Sequence, residues 1–90
     1  MKKVQTAETR KSRKARTAKF QGAYDTLLER LIAAREKAGL SQHQVSALMN
    51  RSANFMTKCE SGERSIDVME LMELAQIYQR PVSYFFPTQS

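Results

Sequence analysis

The sequence predicts an all-α chain, five short helices around one core behind a basic N-terminal arm, and three observations carry that expectation. Apolar residues recur at helical spacing in successive stretches separated by Gly, Asn or Pro. Two reciprocal pairs, Ser41 with Gln44 and Asp67 with Glu70, have the three-residue spacing of helix-opening caps. No segment alternates apolar and polar residues over more than a few positions, and no Asn-Gly or Asp-Gly pair announces a hairpin.

Residues 1–20 lack apolar periodicity and hold few large apolar side chains, too few to offset the entropy of ordering their backbone. They read as a flexible arm ahead of a folded unit at 21–90. Around Gly22 the pattern changes: Tyr24, Leu27, Leu28, Leu31 and Ile32 form one face of an amphipathic helix, and Gly39 supplies the left-handed position that ends it. Ser41 then opens a second helix with Val45, Leu48 and Ala47 expected inward. That helix stops after Met49, because Asn50 tolerates the positive φ of a tight turn. Ser52 is the next expected N-cap, for a helix through Cys59 that turns Met56 and Cys59 to the core. Gly62 interrupts again. After Asp67, the residues Val68, Leu71, Met72, Leu74, Ala75 and Tyr78 form the stripe of a fourth helix. Pro81 closes it and opens a last short one bearing Tyr84, Phe85 and Phe86.

Ninety residues suit one domain, and a domain this small buries only roughly 60 % of its unfolded surface, so pairing with a second copy would help it. The lone cysteine, Cys59, has no internal disulfide partner, and Lys2 and Lys3 are followed by polar residues unlike a secretory leader. A reducing cytoplasm is the expected compartment. No apolar run approaches the ~20 residues needed to cross a bilayer, so no membrane role is expected. The net charge of +6 is unevenly placed: residues 1–20 carry eight Lys/Arg against Glu8, while the remainder holds seven Lys/Arg against eight Asp/Glu. Bulk attraction for a polyanion therefore comes from the arm, and any anion site on the folded part depends on where its few cations lie.

Enzyme chemistry finds little to work with. There is no nucleophile–base pair, no glycine-rich phosphate loop and no pair of carboxylates outside solvent-facing helix positions, so neither catalysis nor a cofactor is expected. His43 stands alone, without the Cys or acidic spacing of a metal site. Cys59 shares an apolar stripe with Met56 and reads as a core thiol.

Two short helices joined by a tight turn inside a small bundle have the layout of a helix-turn-helix, in which the second helix enters a groove about 12 Å wide while the first crosses the phosphate backbone. Residues 31–86 resemble the lambda-repressor/Cro family, also called XRE-type, through an ordered set of matches. These are Arg35, then Gly39-Leu40-Ser41-Gln42, a turn at Asn50, Cys59-Glu60-Ser61-Gly62-Glu63-Arg64 and Pro81-Val82-Ser83-Tyr84-Phe85-Phe86. The resemblance implies a lambda-repressor-like bundle. It also implies a phosphate contact from Gln42, a reading face of Ser52, Ala53, Asn54, Thr57 and Lys58, backbone contacts from Ser61 and Arg64, and a structural ion pair between Arg35 and Glu60. The chain departs from the family at three places. Asn50 stands where glycine is usual, Arg51 replaces an aliphatic residue and either weakens the local core or adds a phosphate contact, and Ala53 offers only a methyl.

Side-chain chemistry points the same way. Asn54 suits the N6/N7 edge of adenine, Lys58 the O6 or N7 of guanine, and Thr57 a thymine methyl or a weak hydrogen bond. Phe55 has two readings, pressing on a thymine methyl or packing on the neighbouring turn. Each base contact is worth ~1–3 kcal/mol of discrimination, so a specific reader needs two half-sites and hence a dimer. The expectation is a cytoplasmic, nucleoid-associated regulator, a repressor acting as a homodimer on double-stranded DNA. Arg10, Lys11, Arg13, Lys14, Arg16 and Lys19 of the arm would add phosphate contacts, along the backbone, in a minor groove, or as a helix formed on contact. Two rivals remain: an arm-driven, non-specific nucleic-acid binder, and an antitoxin or adaptor that uses the same fold to hold a protein partner.

Overall fold

The structure, a computed structural model, describes residues 18–87, with side chains from 20 onward. Of the arm, Arg10, Lys11, Arg13, Lys14 and Arg16 lie outside the described residues, as does the side chain of Lys19. Among the described residues four α-helices follow in order, α1 (Ala18–Lys37), α2 (Gln42–Leu48), α3 (Phe55–Glu60) and α4 (Val68–Tyr78), and a 3₁₀ turn over Val82–Phe85 comes last. The class is all-helical, as the periodicity predicts. The fifth element is a single 3₁₀ turn because Pro81 has no N–H and Phe86 is already extended, which leaves room for one turn only.

Within the described residues α1 is already helical at Ala18, four residues ahead of Gly22, and runs straight through that glycine. It buries Leu28, Leu31 and Ala34, with Tyr24, Leu27 and Ile32 half-buried beside them. Three helices end in the same way. Gly39, Asn50 and Gln79 each adopt positive φ. The following N–H groups, of Leu40, Arg51 and Arg80, reach back to the carbonyls of Arg35, Ser46 and Ala75. This reversal satisfies terminal carbonyls and turns the chain within two residues. It sets α2 directly after α1 and places Arg51 just past the end of α2.

The core runs through Leu31, Val45, Met56, Cys59, Leu74 and Phe85, all fully enclosed. Phe85 closes it from the 3₁₀ turn, held by Arg30, whose Nη1 donates to the carbonyls of Tyr84 (2.9 Å) and Phe86 (3.0 Å). Burial departs from the simple stripes in several places. Leu48 and Ala47 face outward, and α2 instead buries Val45 and Ser46, with Met49 buried just past its end. Seven residues make barely two turns, so a single change of facing at one end moves the whole inward set. On α4, Val68 and Met72 are exposed, and the buried face is Glu70, Leu71, Leu74, Ala75 and Tyr78. Phe86 is exposed and Tyr84 half-buried, so only Phe85 of that aromatic trio enters the interior. Among the described residues no helix is long and apolar enough to cross a membrane.

Candidate nucleic-acid interface

Helix α2 starts from a complete reciprocal cap. Ser41 Oγ accepts from the Gln44 N–H at 3.0 Å, and Gln44 Oε1 accepts from the Ser41 N–H at 2.8 Å. Helix α3 has no such cap of its own. The chain leaves the Asn50 reversal, makes a turn in which the Phe55 N–H reaches the Ser52 carbonyl at 3.0 Å, and becomes helical only at Phe55. The expected N-cap at Ser52 is therefore displaced to Asn54, whose backbone (φ −91°, ψ 2°) is not extended and whose side chain makes no capping bond. The cap comes instead from α2, where the buried Ser46 hydroxyl accepts from the Met56 N–H at 3.0 Å. One hydrogen bond across the turn thus satisfies a terminal donor of α3 and fixes the angle between the two helices. Sequence reasoning missed Ser46, since a serine inside a helix looks like an ordinary solvent-facing residue.

With α3 held so, Met56 and Cys59 point inward and Ala53, Asn54, Thr57 and Lys58 are exposed. Asn54, Thr57 and Lys58 stand three and four residues apart, the spacing of one helix face. Ser52 and Ser61 are exposed on either side of them. Ser61 Oγ donates to the Lys58 carbonyl at 3.0 Å, which ties the loop after α3 to its last turn. Cys59 is buried, and that burial raises its thiol pKa, so the thiolate form needed for redox or nucleophilic work is disfavoured.

Beneath this face lie two buried carboxylates. Glu60 accepts from Arg35 Nε (2.7 Å) and Nη2 (3.2 Å), and from Gln42 Nε2 (2.7 Å). Arg35 Nη1 also donates to the Leu40 carbonyl, so α1, the first interhelical turn, α2 and α3 meet at one point. Gln42 in turn accepts from Thr57 Oγ1 at 3.0 Å. The Thr57 hydroxyl proton is therefore committed to Gln42, and its methyl and the acceptor lone pairs of its oxygen remain for an outside partner.

The second carboxylate is Glu70, in the first turn of α4 and 3 % exposed. Its Oε2 accepts from Arg51 Nη2 (2.6 Å) and Arg64 Nη2 (3.0 Å). Its Oε1 accepts from Arg64 Nη1 (2.9 Å) and from the Asp67 N–H (3.0 Å), the latter as half of the Asp67–Glu70 capping pair. Burial pushes the Glu70 pKa up, but the bonds from Arg64, Asp67 and Arg51 outweigh it and hold the carboxyl below its ordinary value. Phe55 lies under the same two arginines, with guanidinium carbons 4.5 Å (Arg51) and 5.0 Å (Arg64) from its ring centroid. At 5 % exposure Phe55 is not available to press on a base, and of its two readings packing beneath the neighbouring turn is the one observed. Arg51 is accommodated at the edge of the core: its guanidinium lies over the Phe55 ring and its charge is answered by Glu70.

Over residues 26–83 the chain matches a family model described as a helix-turn-helix domain. No curated protein and no solved structure matches it.

Proposed function

Since the chain belongs to the helix-turn-helix family, a DNA-binding architecture, we propose that it is a sequence-specific regulator of transcription, a repressor that binds a two-fold operator as a dimer. The observation that carries this reading is the exposed row Ala53, Asn54, Thr57 and Lys58, presented by a helix whose other side is anchored in the core. Asn54 offers a donor and an acceptor to adenine, Lys58 donates to guanine, and the methyls of Ala53 and Thr57 meet thymine. Gln42, Arg51, Ser52, Ser61 and Arg64 surround that row and take the phosphates on either side. The basic arm adds sequence-independent attraction, and the protein works as a binding module in the cytoplasm, at the nucleoid.

Selection from random duplex DNA at stated salt tests this directly, with a two-fold consensus as the expected result. On that site Asn54→Ala or Lys58→Ala should cost about 1–3 kcal/mol, and much less on random duplex. Equal losses on both would remove these residues from base readout.

A second reading, a module that holds another protein, is favoured by one observation. Val68, Met69 and Met72 of α4 and Val82 of the closing turn are exposed apolar side chains. Recovery of a stoichiometric foreign partner, with no operator affinity for the chain alone, would favour it over the repressor.

A further inference from the structure

We propose that Glu70 is a positioning residue that holds Arg51 and Arg64 together as one clamp for DNA phosphate beside the reading helix. The inference rests on the DNA-binding reading above and goes beyond it, because Glu70 is buried, bonded to the two arginines, and belongs to a helix outside the helix-turn-helix.

Two guanidiniums beside a single ring repel each other, and two long arginine side chains free in solvent would be dispersed over many rotamers. Here both bond the same carboxylate oxygen and both lie against Phe55, so their positions are set from below. Glu70 cancels one of the two charges and leaves the other at the surface, where the Arg51 and Arg64 side chains are 39 % and 40 % exposed. Arg51 commits one N–H of the five a guanidinium carries, and Arg64 commits three, one of them to the Ser65 carbonyl. What remains is a fixed, partly exposed array of donors with net positive charge. It flanks α3 from the turn before it and the loop after it, and its natural ligand is a phosphate oxygen, which takes paired charge-assisted bonds from arginine.

Simple charge counting predicts the opposite effect of Glu70, and that makes the clamp testable. Glu70→Gln retains a side chain suited to the capping pair with Asp67 while removing the charge that gathers the arginines. The probe is a short random-sequence duplex, titrated with the full chain over a range of salt, with thermal unfolding followed in parallel. If Glu70 only adds negative charge near DNA, Glu70→Gln should bind more tightly. The clamp predicts binding roughly tenfold weaker, and a salt slope shallower by about 0.9 for each phosphate that is no longer neutralised. The arm's share of the slope is common to every variant and cancels. A second variant, Arg51→Lys with Arg64→Lys, keeps both charges and Glu70 but removes the planar forks; it too should lose affinity and slope. In an Arg51→Ala, Arg64→Ala background Glu70→Gln should no longer weaken binding. Unchanged or tighter binding by Glu70→Gln, or full affinity of the folded double-lysine variant, would overturn the clamp while leaving the regulator reading intact. Absence of salt-dependent binding by the unaltered chain would sink both.

Discussion

Glu60 and Glu70 are both buried carboxylates answered by arginine, and they differ in what the arginine has left to give. The Arg35 side chain is 12 % exposed, directs Nε and Nη2 to Glu60 and Nη1 to the Leu40 carbonyl, and so ends as part of the core. Arg51 and Arg64 reach Glu70 from the surface and stay about two-fifths exposed. The same pairing therefore closes the bundle at one site and arms the surface at the other. The contrast identifies burial of the cation, not of the carboxylate, as what separates a structural ion pair from one that still carries charge outward.

The largest effect that could break this comparison is the loss of Arg35. Arg35→Ala leaves Glu60 buried with, among the described residues, only the Gln42 amide to answer it, and removing one partner of a buried pair costs about 3–5 kcal/mol. In a domain of this size that is most of the stability, so the urea midpoint should collapse. Arg51→Ala leaves Glu70 with Arg64 and the Asp67 N–H, and should cost far less. Equal losses at the two sites would show that they do not differ in the way their exposures indicate.

How far these sites can be read from the sequence follows the same division. Helix class, the caps at Ser41 and Asp67, and the reversals at Gly39 and Asn50 are local, set by side chains acting on backbone within a few residues, and periodicity and capping rules find them. The closing reversal at Gln79 is not legible, because glutamine carries no signal for positive φ. The start of α3 escapes those rules because its cap is non-local: Ser46 supplies it from the preceding helix. Glu70 reads correctly as a capping residue, but nothing in its sequence neighbourhood reveals that Arg51, nineteen positions away, converges on it. The exposed row at Asn54, Thr57 and Lys58 is legible because helical spacing plus two apolar residues, Met56 and Cys59, fixes which way a short helix faces.

A smaller effect, dependent on pH, sharpens the Glu70 side of the contrast. Its carboxyl is held below its ordinary value, so the folded state binds that proton less well than the unfolded chain does. The ionised group's contribution to stability is then fully present above the ordinary carboxylate range and lost as pH falls through the lowered folded value. Hydrogen bonds to charged groups are worth about 1.5–3 kcal/mol, which sets the scale of that loss. Other acids titrate in the same range, so the informative quantity is the difference between the unaltered chain and Glu70→Gln. That difference should be largest near neutrality and shrink in acid; a gap that stays constant with pH would mean the charge of Glu70 contributes nothing to folding.

The smallest effect lies on the Glu60 side. Tyr78 is 4 % exposed, and among the described residues its buried hydroxyl finds no hydrogen-bond partner. Burial raises its pKa, Glu60 raises it further and Arg35 opposes, which places the phenol within the electrostatic reach of the core ion pair without a bond to it. A buried hydroxyl with no partner loses its hydration and gains nothing in return. Tyr78→Phe keeps the ring that fills the core and removes that oxygen, so stability should rise by about 1 kcal/mol in urea unfolding, with DNA affinity unchanged. A loss of similar size would mean instead that the hydroxyl supports Glu60, and that the buried carboxylate depends on more than Arg35 and Gln42 to be tolerated.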